Sequence, residues 1–464
     1  MKIPKVVQFT LPSPISPDLK IENQIRRMEF QTPRGTRDFL PEEMIKREFV
    51  INTIKNVFVK FGFDPLETPV FEEFQLLSKK SGEDIKNQIY EFKDKSGRDL
   101  GLRFDLTVPM ARVVANNPQL PKPFKRYAIA PVWRYEEVSA GRKREFYQCD
   151  VDVVGTASMD ADVEVMTTAI ECFKSLGFKD FKIKISDRKV LEGFIELIKK
   201  KIEPEMKLEF SPAEIFRIID KIEKIGVEEV EKELKKLGLS EKQIEKLLEV
   251  ISVKGTFEAV LKKGRELLKG IKIAEEGFNE LEGIWEFSKV YGIDKYLVLD
   301  YSMARGIDYY TGPIFETEVK GYEKYGSICS GGRYDKLIET FGGRPTPATG
   351  ISLGIERIIE ILGQERKFEE KKTNVRVFVA SVNEDVKKDA VKIALDLRKE
   401  GIKCQVDLMN RSLGKQFEFA DTMGIPFVLV VGKEELKKNV FKLKDMEKKS
   451  EKALKLDLVV KILK

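Results

Sequence analysis

The chain has 464 residues, of which 42% are hydrophobic and 34% are charged with both signs mixed. This composition excludes bulk disorder and predicts about three domains. The chain has no histidine, which excludes a Ser-His-Asp triad, histidine metal ligands and an imidazole general base. No apolar run is long enough for a membrane helix and no signal-peptide pattern is present, so we expect a cytoplasmic protein without a membrane partner.

The four cysteines, Cys149, Cys172, Cys329 and Cys404, are scattered without a C-x-x-C pair, so we expect neither a disulfide framework nor a structural zinc site. The chain carries 83 basic and 77 acidic residues, a net charge of +6. Residues 374–464 hold 20 basic and 14 acidic residues, so this segment carries the whole excess. Two interpretations stay open: a contact with a polyanion such as nucleic acid, or a solvated basic tail.

In chain order, the first elements are a helix and a short strand. Apolar spacing predicts a helix over residues 41–61 that Gly62 ends, and residues 63–71 are expected to form a loop entering a strand. A second helix is expected to begin within residues 105–115, with Thr107 as a possible cap.

A hairpin and a helical region follow. Residues 124–135 and 144–154 predict two antiparallel strands, joined by the charged loop 136–143 with an unusually basic tip. Residues 227–250 and 257–268 are rich in Lys and Glu, with apolar residues spaced by three and four, which predicts helices with solvated charged faces.

Strands return after the helical region. The pattern predicts core strands at 297–299, 314–319, 327–330 and 348–353. A helix is expected at 354–362. A polar linker follows, and then strands alternate with helices at 375–380, 384–400, 404–408, 415–423 and 427–431.

The predicted fold class is therefore α+β, an antiparallel-sheet core with a helical insertion and a C-terminal α/β domain. The expected divisions are an extension at 1–33, the core at 34–190 and 289–363, the insertion at 191–288, the linker at 364–373 and the last domain at 374–464.

No standard nucleotide-binding loop occurs, neither G-x-x-x-x-G-K-[ST] nor G-x-G-x-x-G after a first strand. Arginines stand instead where phosphate ligands would be useful, because a planar guanidinium group suits a triphosphate. Arg134 ends the first hairpin strand, Arg142 lies at its tip, Arg305 follows a strand and Arg357 begins a helix. Taken singly, each arginine is more often a surface charge or part of an ion pair.

Taken together, the motifs resemble those of the class II aminoacyl-tRNA synthetases, and specifically the histidyl-tRNA synthetase family. The resemblance covers about residues 34–464. Motifs 1, 2 and 3 of the class correspond to residues 61–69, 132–148 and 350–357, the histidyl-specific stretches to 304–310 and 330–335, and the family's usual opening to 34–38.

The resemblance implies histidine–tRNA ligase activity with ATP, Mg²⁺ and tRNA(His), in a homodimer built through motif 1. Arg134 would hold the ATP α-phosphate and the histidine carboxylate, and Glu136 would face the adenine or its ribose. Arg142 and Arg357 would bind the β- and γ-phosphates. Arg305 would neutralise charge on the α-phosphate, which makes Arg134 and Arg305 the expected catalytic residues. No protein side chain is assigned to a metal.

The resemblance also implies a histidine pocket. Asp105, Leu106 and Thr107 form the segment that receives the α-ammonium, with Gln148 beside them. Asp152 and Tyr310 would bracket the imidazole, with Tyr309 next to them. A carboxylate and a phenol can pair with the donor and the acceptor of the ring. The full expected histidine-binding set is Asp105, Leu106, Thr107, Arg134, Gln148, Asp152, Arg305, Tyr309 and Tyr310.

Two other interpretations compete. One is a catalytically inactive, synthetase-like regulatory subunit of ATP phosphoribosyltransferase. Such chains typically lack the C-terminal domain and degrade the stretch at 305–310, and both are intact here. The other is a nucleic-acid-binding module with an inactive core. Histidine-dependent exchange between ATP and pyrophosphate separates these from the ligase. The C-terminal domain resembles the family's anticodon-binding domain.

Overall fold

The computed structural model describes residues 30–79, 83–138, 141–198, 212–304 and 309–464. Most of the expected extension 1–33 and the four residues 305–308 lie outside these ranges. The first half of the chain contains, in order, α1 (Pro41–Lys60), β1 (Asp64–Pro65), β2 (Phe71–Glu73), α2 (Phe74–Ser78), α3 (Glu83–Lys86), β3 (Glu91–Lys93), β4 (Asp99–Leu102), α4 (Thr107–Asn116), β5 (Phe124–Trp133), β6 (Glu145–Val154), α5 (Asp160–Ser175), β7 (Phe181–Asp187) and α6 (Arg188–Leu197).

The second half adds the insertion, the rest of the core and the C-terminal unit. The insertion and core elements are α7 (Pro212–Ile219), α8 (Ile222–Ile225), α9 (Val227–Lys236), α10 (Glu241–Ile251), α11 (Phe257–Leu267), α12 (Lys272–Tyr291), β8 (Leu297–Leu299), β9 (Pro313–Val319), β10 (Cys329–Arg333), α13 (Leu337–Thr340), β11 (Ala348–Gly354) and α14 (Ile355–Gln364). The C-terminal elements are β12 (Val377–Ser381), α15 (Lys387–Lys399), β13 (Cys404–Val406), α16 (Leu413–Thr422), β14 (Phe427–Val431), α17 (Lys433–Lys438), β15 (Phe441–Asp445), β16 (Ser450–Leu454) and α18 (Leu456–Leu463).

Helix α1 forms as the sequence predicts. Pro41 occupies its first turn, where a missing N–H costs nothing. Val50, Ile54 and Phe58 are fully buried along one face, which fits the three-and-four spacing. The helix ends at Lys60, and Gly62 follows with a φ of +74° that favours glycine.

An eight-stranded sheet forms the core, in the order β1-β5-β6-β11-β10-β9-β7-β8. Its pairs are antiparallel except β1 with β5 and β7 with β8. The predicted hairpin is confirmed, with Phe124 opposite Val154 and Trp133 opposite Glu145. The predicted antiparallel core is therefore confirmed, while strand β7 and helix α5, which complete it, were not predicted.

The helical insertion is built from separate helices. Residues 227–250 form two of them, α9 and α10, and a capping box of Ser240 and Gln243 starts α10. Helix α12 packs against α5 and α6 of the core, so the insertion joins the core through a packed interface.

The C-terminal unit is a five-stranded sheet in the order β13-β12-β14-β15-β16. Strands β12, β13 and β14 are parallel and β15 and β16 are antiparallel. Two apolar clusters bury the faces of this sheet within the unit itself. The predicted alternation is confirmed, with β15, β16, α17 and α18 as additions. None of the helices in the described ranges combines the length and the apolarity that crossing a membrane requires.

Gly331 on β10 and Gly350 on β11 allow these two central strands to approach closely. A first prediction follows from this contact. A Cβ on Gly331 would lie 2.2 Å from the carbonyl oxygen of Gly350, a backbone atom that cannot rotate away. We expect Gly331→Ala to destabilise the core by about 1–3 kcal/mol or more. Gly363→Ala is the control, because nothing lies within 4 Å of its Cβ position in helix α14. Thermal unfolding of the full chain measures both, and equal midpoints would contradict the prediction.

Candidate active site

A cavity of about 170 Å³ opens between the hairpin loop and the junction of β11 with α14. All four residues that are expected to bind ATP line this cavity, although the first and the last of them are more than 220 positions apart in the sequence. The lining residues are Arg134, Glu136, Gly141, Arg142, Lys143, Phe146, Gln148, Ser327, Ile328, Cys329, Ser330, Ser352, Gly354, Glu356 and Arg357.

Arg134 follows β5 directly and is oriented from two sides. Its Nε donates to the carbonyl oxygen of Phe104 at 3.0 Å, and its guanidinium group lies 5.2 Å from the ring centroid of Phe146. Glu136 lies 3.9 Å from Arg134 and 3.7 Å from Arg142. These separations leave the two guanidinium groups with donors available for phosphate.

The opposite wall of the cavity is the start of α14. Arg357 donates through Nη1 to the carbonyl oxygen of Ser327, which anchors the guanidinium group beside β10. Glu356 accepts from the buried Arg47 of α1 at 2.6 Å and from the backbone N–H of Tyr147 at 3.1 Å. The acidic neighbour of Arg357 is thereby engaged with α1 and β6.

The segment 105–107 lies at the start of α4, and its capping differs from the prediction. Thr107 is the first helical residue rather than the cap, and the side-chain cap comes from Asp105, whose Oδ1 accepts from the N–H of Val108 at 3.0 Å. Burial raises the pKa of Asp105 to about 6, opposed by this hydrogen bond and by Arg134. Its other oxygen, Oδ2, is buried without a hydrogen-bond partner.

Asp152 is buried between two partners. Arg126 stands opposite it in the sheet and its Nη2 lies 2.7 Å from Asp152 Oδ2, with both side chains buried. Tyr334 donates its hydroxyl to Asp152 Oδ1. Burial raises the pKa of Asp152, and Arg126 and Tyr334 oppose that shift. Asp152 therefore sits in a buried ion pair that the sequence analysis did not include.

The two tyrosines expected beside the imidazole lie next to each other. The ring centroids of Tyr309 and Tyr310 are 4.8 Å apart, and that of Tyr309 is 6.0 Å from Tyr334. Burial raises the pKa of Tyr310, and so do the nearby charges of Asp105, Asp150 and Asp152. The structure thus brings Asp105, Asp152 and Tyr310 together. Arg305 lies outside the described residues.

Four polar residues beside these were not predicted from the sequence, namely Arg126, Asp150, Tyr334 and Ser352. Asp150 is buried between Gln148 and Asp152 on β6, and Ser352 stands opposite it on β11. The signal was present, since three polar residues at alternate positions of a strand share one face. Tyr334 belongs to the stretch 330–335, which resembles the histidyl-tRNA synthetase family, but the sequence did not suggest a role for it.

A larger cavity of about 520 Å³ lies on the other side of β5, next to the edge strand β1. It is lined by four residues of motif 1, together with residues from α1, β5 and the site itself: Pro65, Leu66, Glu67, Thr68, Ile51, Asn52, Lys55, Arg103, Leu106, Arg126, Tyr127, Ala128, Ile129, Ala130 and Tyr147. Leu106 and Arg126 therefore connect this cavity with Asp152.

The mainly antiparallel sheet carries a helical insertion, and its hairpin and the junction of β11 with α14 enclose an arginine-lined cavity. These are the features of a class II aminoacyl-tRNA synthetase. A family model described as histidyl-tRNA synthetase matches residues 35–358, and an anticodon binding domain model matches residues 376–464. The chain belongs to the histidyl-tRNA synthetase family, a family of ligase enzymes.

Individual relatives agree with this assignment. The histidine–tRNA ligase of Pyrococcus horikoshii is 40% identical over 415 residues, 89% of this chain and 94% of that protein. That of Pyrococcus abyssi is 41% identical over 428 residues, 92% and 97% of the two chains. The crystal structure of histidyl-tRNA synthetase from Nostoc sp. PCC 7120 superimposes with a TM-score of 0.81 at 32% identity, covering 94% and 99% of the chains. An ATP phosphoribosyltransferase regulatory subunit/histidyl-tRNA synthetase from Bacillus halodurans, at 23% identity and a TM-score of 0.73, shares the fold.

A second prediction concerns how the burial of Asp150 changes the pH dependence of stability. Burial raises its pKa from 3.8 to about 7, so between about pH 4 and 7 the folded state keeps a proton that the unfolded state loses. Stability contributed by this group is therefore lost as the pH rises through that range. We expect Asp150→Asn to gain stability over the unsubstituted chain as the pH rises, by at most about 4 kcal/mol above pH 7.

Thermal unfolding at pH 5 and pH 8 measures this gain. Glu318→Gln is the control, because Glu318 is a half-buried acid on β9 of the same sheet, paired with Lys184 at 2.8 Å. A difference between Asp150→Asn and the unsubstituted chain that stays constant with pH would contradict the prediction.

Proposed function

We propose that this protein is a histidine–tRNA ligase that uses ATP to activate L-histidine and then charges tRNA(His). The observation that supports it is the junction of two subsites of opposite charge. Arg134, Arg142 and Arg357 line one side, and the buried carboxyl groups of Asp105 and Asp152 lie on the other. Gln148 stands between the two. A phosphate group and an ammonium group suit these two sides respectively.

In the first half-reaction, a carboxylate oxygen of histidine attacks the α-phosphorus of ATP. A new O–P bond forms, the bond to the bridging oxygen of the β-phosphate breaks, and pyrophosphate leaves with that electron pair. The substrate carboxylate is already ionised, so the protein needs neither nucleophile nor general base. Arg134 and, from the sequence, Arg305 are the proposed catalytic residues, because fixed cations stabilise charge that develops on the α-phosphate.

The other ATP contacts follow from the cavity. Arg142 and Arg357 are proposed for the β- and γ-phosphates, and Glu136 for the adenine or its ribose. Mg²⁺ is proposed to accompany ATP, where it neutralises phosphate charge. The carboxylate of Glu136 faces the same cavity and is a hard oxygen ligand of the kind that Mg²⁺ accepts beside phosphate and water, whereas Glu356 is already engaged by Arg47 and the N–H of Tyr147.

Histidine recognition is proposed to combine both sides of the pocket. Asp105, Leu106, Thr107 and Gln148 would receive the α-ammonium, and Asp152 and Tyr310 the two ring nitrogens, with Tyr309 packed beside them. A pocket that pairs with both nitrogens discriminates strongly, because an isostere leaves its buried polar groups unpaired. Tyr334 and Arg126 would hold Asp152 in the required orientation.

In the second half-reaction, a terminal ribose hydroxyl of tRNA attacks the carbonyl carbon of histidyl-adenylate. The ester bond forms, the bond from that carbon to the phosphate oxygen breaks, and AMP leaves with the electron pair while its phosphate accepts the hydroxyl proton. The unit 374–464 is proposed to bind the anticodon region, since it carries the excess of basic residues. A homodimer is proposed through residues 61–69, of which 65–68 line the larger cavity beside the edge strand. The cytoplasm is the proposed compartment, in agreement with four cysteines that form no disulfide in the described structure.

A third prediction tests the phosphate cavity. Arg357→Ala should lower kcat/KM for ATP by about 10²-fold or more in histidine-dependent ATP–pyrophosphate exchange, because it removes one fixed cation from the bound triphosphate. The KM for histidine should change little. Arg98→Ala serves as the control, since Arg98 is exposed and paired with Asp94 away from the site. Equal effects on both substrates would argue against a phosphate role, and no exchange with the unsubstituted chain would reject the ligase.

A fourth prediction tests the C-terminal unit. Removing residues 374–464 should leave histidyl-adenylate formation largely intact, because the unit has its own apolar clusters. Charging of tRNA should fall, and the dependence of tRNA binding on salt should become weaker as basic residues are lost. Binding measured between 50 and 200 mM salt gives the slope. An unchanged slope would place the main tRNA contact elsewhere.

A further inference from the structure

Asp150 is a buried acid that no step above uses. It is 2% exposed and stands on β6 between Gln148 and Asp152, on the same face of the strand as Gln148, which lines the 170 Å³ cavity. One of its oxygens, Oδ1, is buried without a hydrogen-bond partner. No basic side chain of the described residues forms an ion pair with it within 4 Å, whereas Asp152 has Arg126. An uncompensated buried carboxylate is costly unless something in the functional state pairs with it.

Two further buried acceptors of the same pocket also lack partners, Asp105 Oδ2 and Gln148 Oε1. Each is left over by a specific local contact. The N–H of Val108 occupies the other oxygen of Asp105, and Gln148 donates its Nε2 to Ser352 Oγ at 3.0 Å, which leaves its carbonyl oxygen available. Asp152 Oδ2 also lacks a hydrogen bond, but its charge is paired with Arg126. Apart from Asp152, three acceptor oxygens therefore remain unpaired, two of them from carboxyl groups.

A primary ammonium group matches this set, because it has three N–H donors, no acceptor and one positive charge. A phosphate or carboxylate group would instead be repelled by the two acids. The imidazole of histidine has two nitrogens, and the pair Asp152 and Tyr310 already accounts for them. The α-ammonium is thus the part of the substrate that three acceptors can satisfy.

We propose that Asp150 contacts the substrate, accepting a hydrogen bond from the α-ammonium of histidine together with Asp105 and Gln148. The proposal rests on the proposed function, since it assumes that histidine occupies this pocket. Ser352 is a positioning residue, because it contacts both Gln148 and Asp150. The acid makes the pocket select an amino acid over an imidazole compound that has no amine.

A proton release follows from the same arrangement. Burial raises the pKa of Asp150 to about 7 and that of Asp105 to about 6. The charged and titratable groups that face Asp150 from the surrounding elements are Asp105, Arg126, Asp152, Tyr310 and Cys329, with Ser352 as a neutral donor. An arriving ammonium favours the charged carboxylates, so binding near pH 6.5 should expel protons from them.

Calorimetric binding to the full-length protein compares L-histidine with 3-(imidazol-4-yl)propionate, which has the same ring and carboxylate but no amine. Asp150→Asn should weaken histidine binding by about 10- to 100-fold, as loss of a charged hydrogen bond does, and should change binding of the analogue less than about threefold. Glu318→Gln, the control acid on β9, should change neither. Equal weakening of both ligands, or of neither, would overturn the proposal.

A second measurement counts protons. Repeating the histidine titrations at pH 6.5 in two buffers of different ionisation enthalpy gives the number of protons released on binding to the unsubstituted protein and to Asp150→Asn. The imidazole of the ligand contributes equally to both, so histidine should release more protons from the unsubstituted protein, whereas equal numbers would overturn the proposal. If the unsubstituted protein binds no histidine, the proposed function itself fails, which is a different result from normal histidine binding that is insensitive to Asp150→Asn.

Discussion

The pocket depends on one buried ion pair, between Arg126 on β5 and Asp152 on β6. Their side chains are 0% and 3% exposed, and the strands hold them directly opposite each other. Arg126 also donates to the carbonyl oxygen of Leu106 at 3.1 Å, which fixes the segment that begins α4. A buried pair of this kind contributes little net stability, because desolvation offsets the attraction between the charges. Its value lies in orientation, since it connects Asp152 on β6 with the segment 105–107, which is proposed to receive the substrate's ammonium group.

The same strand pair also separates the two charges of the site. Arg134 leaves β5 at the end where the hairpin loop and α14 supply further arginines, whereas Asp150 and Asp152 lie deeper on β6. A β-strand rises about 3.3 Å per residue. The proposed phosphate and ammonium subsites are therefore only a few residues apart along β6. In the proposed arrangement, the carboxylate of the amino acid would lie where both subsites meet, which is the geometry that attack on an α-phosphate needs.

Much of this organisation could be predicted from the sequence, and what could not has a physical reason. The hairpin, α1 and the C-terminal strands follow from local periodicity, and the specific motifs pointed to Arg134, Gln148 and Arg357. The ion pair of Arg126 with Asp152 depends on sheet register, which no local pattern states. Thr107 was wrongly expected to cap α4, because Asp105 offers an equally good acceptor two residues earlier and the fold decides between them. Helix packing across the insertion likewise depends on tertiary contacts.

Because the chain has no histidine, its buried acids are the groups to consider for titration near neutral pH. In most proteins a group that titrates near neutral pH is an imidazole, but here the only imidazole in the reaction belongs to the substrate. Asp105 and Asp150, with pKa values raised to about 6 and 7 by burial, occupy that range instead. Both are costly to keep ionised inside the folded protein. Their position beside Gln148, where an acceptor oxygen of each of the three residues remains unpaired, supports the proposal that the substrate's ammonium group, and not a side chain of the protein, completes the ionised state.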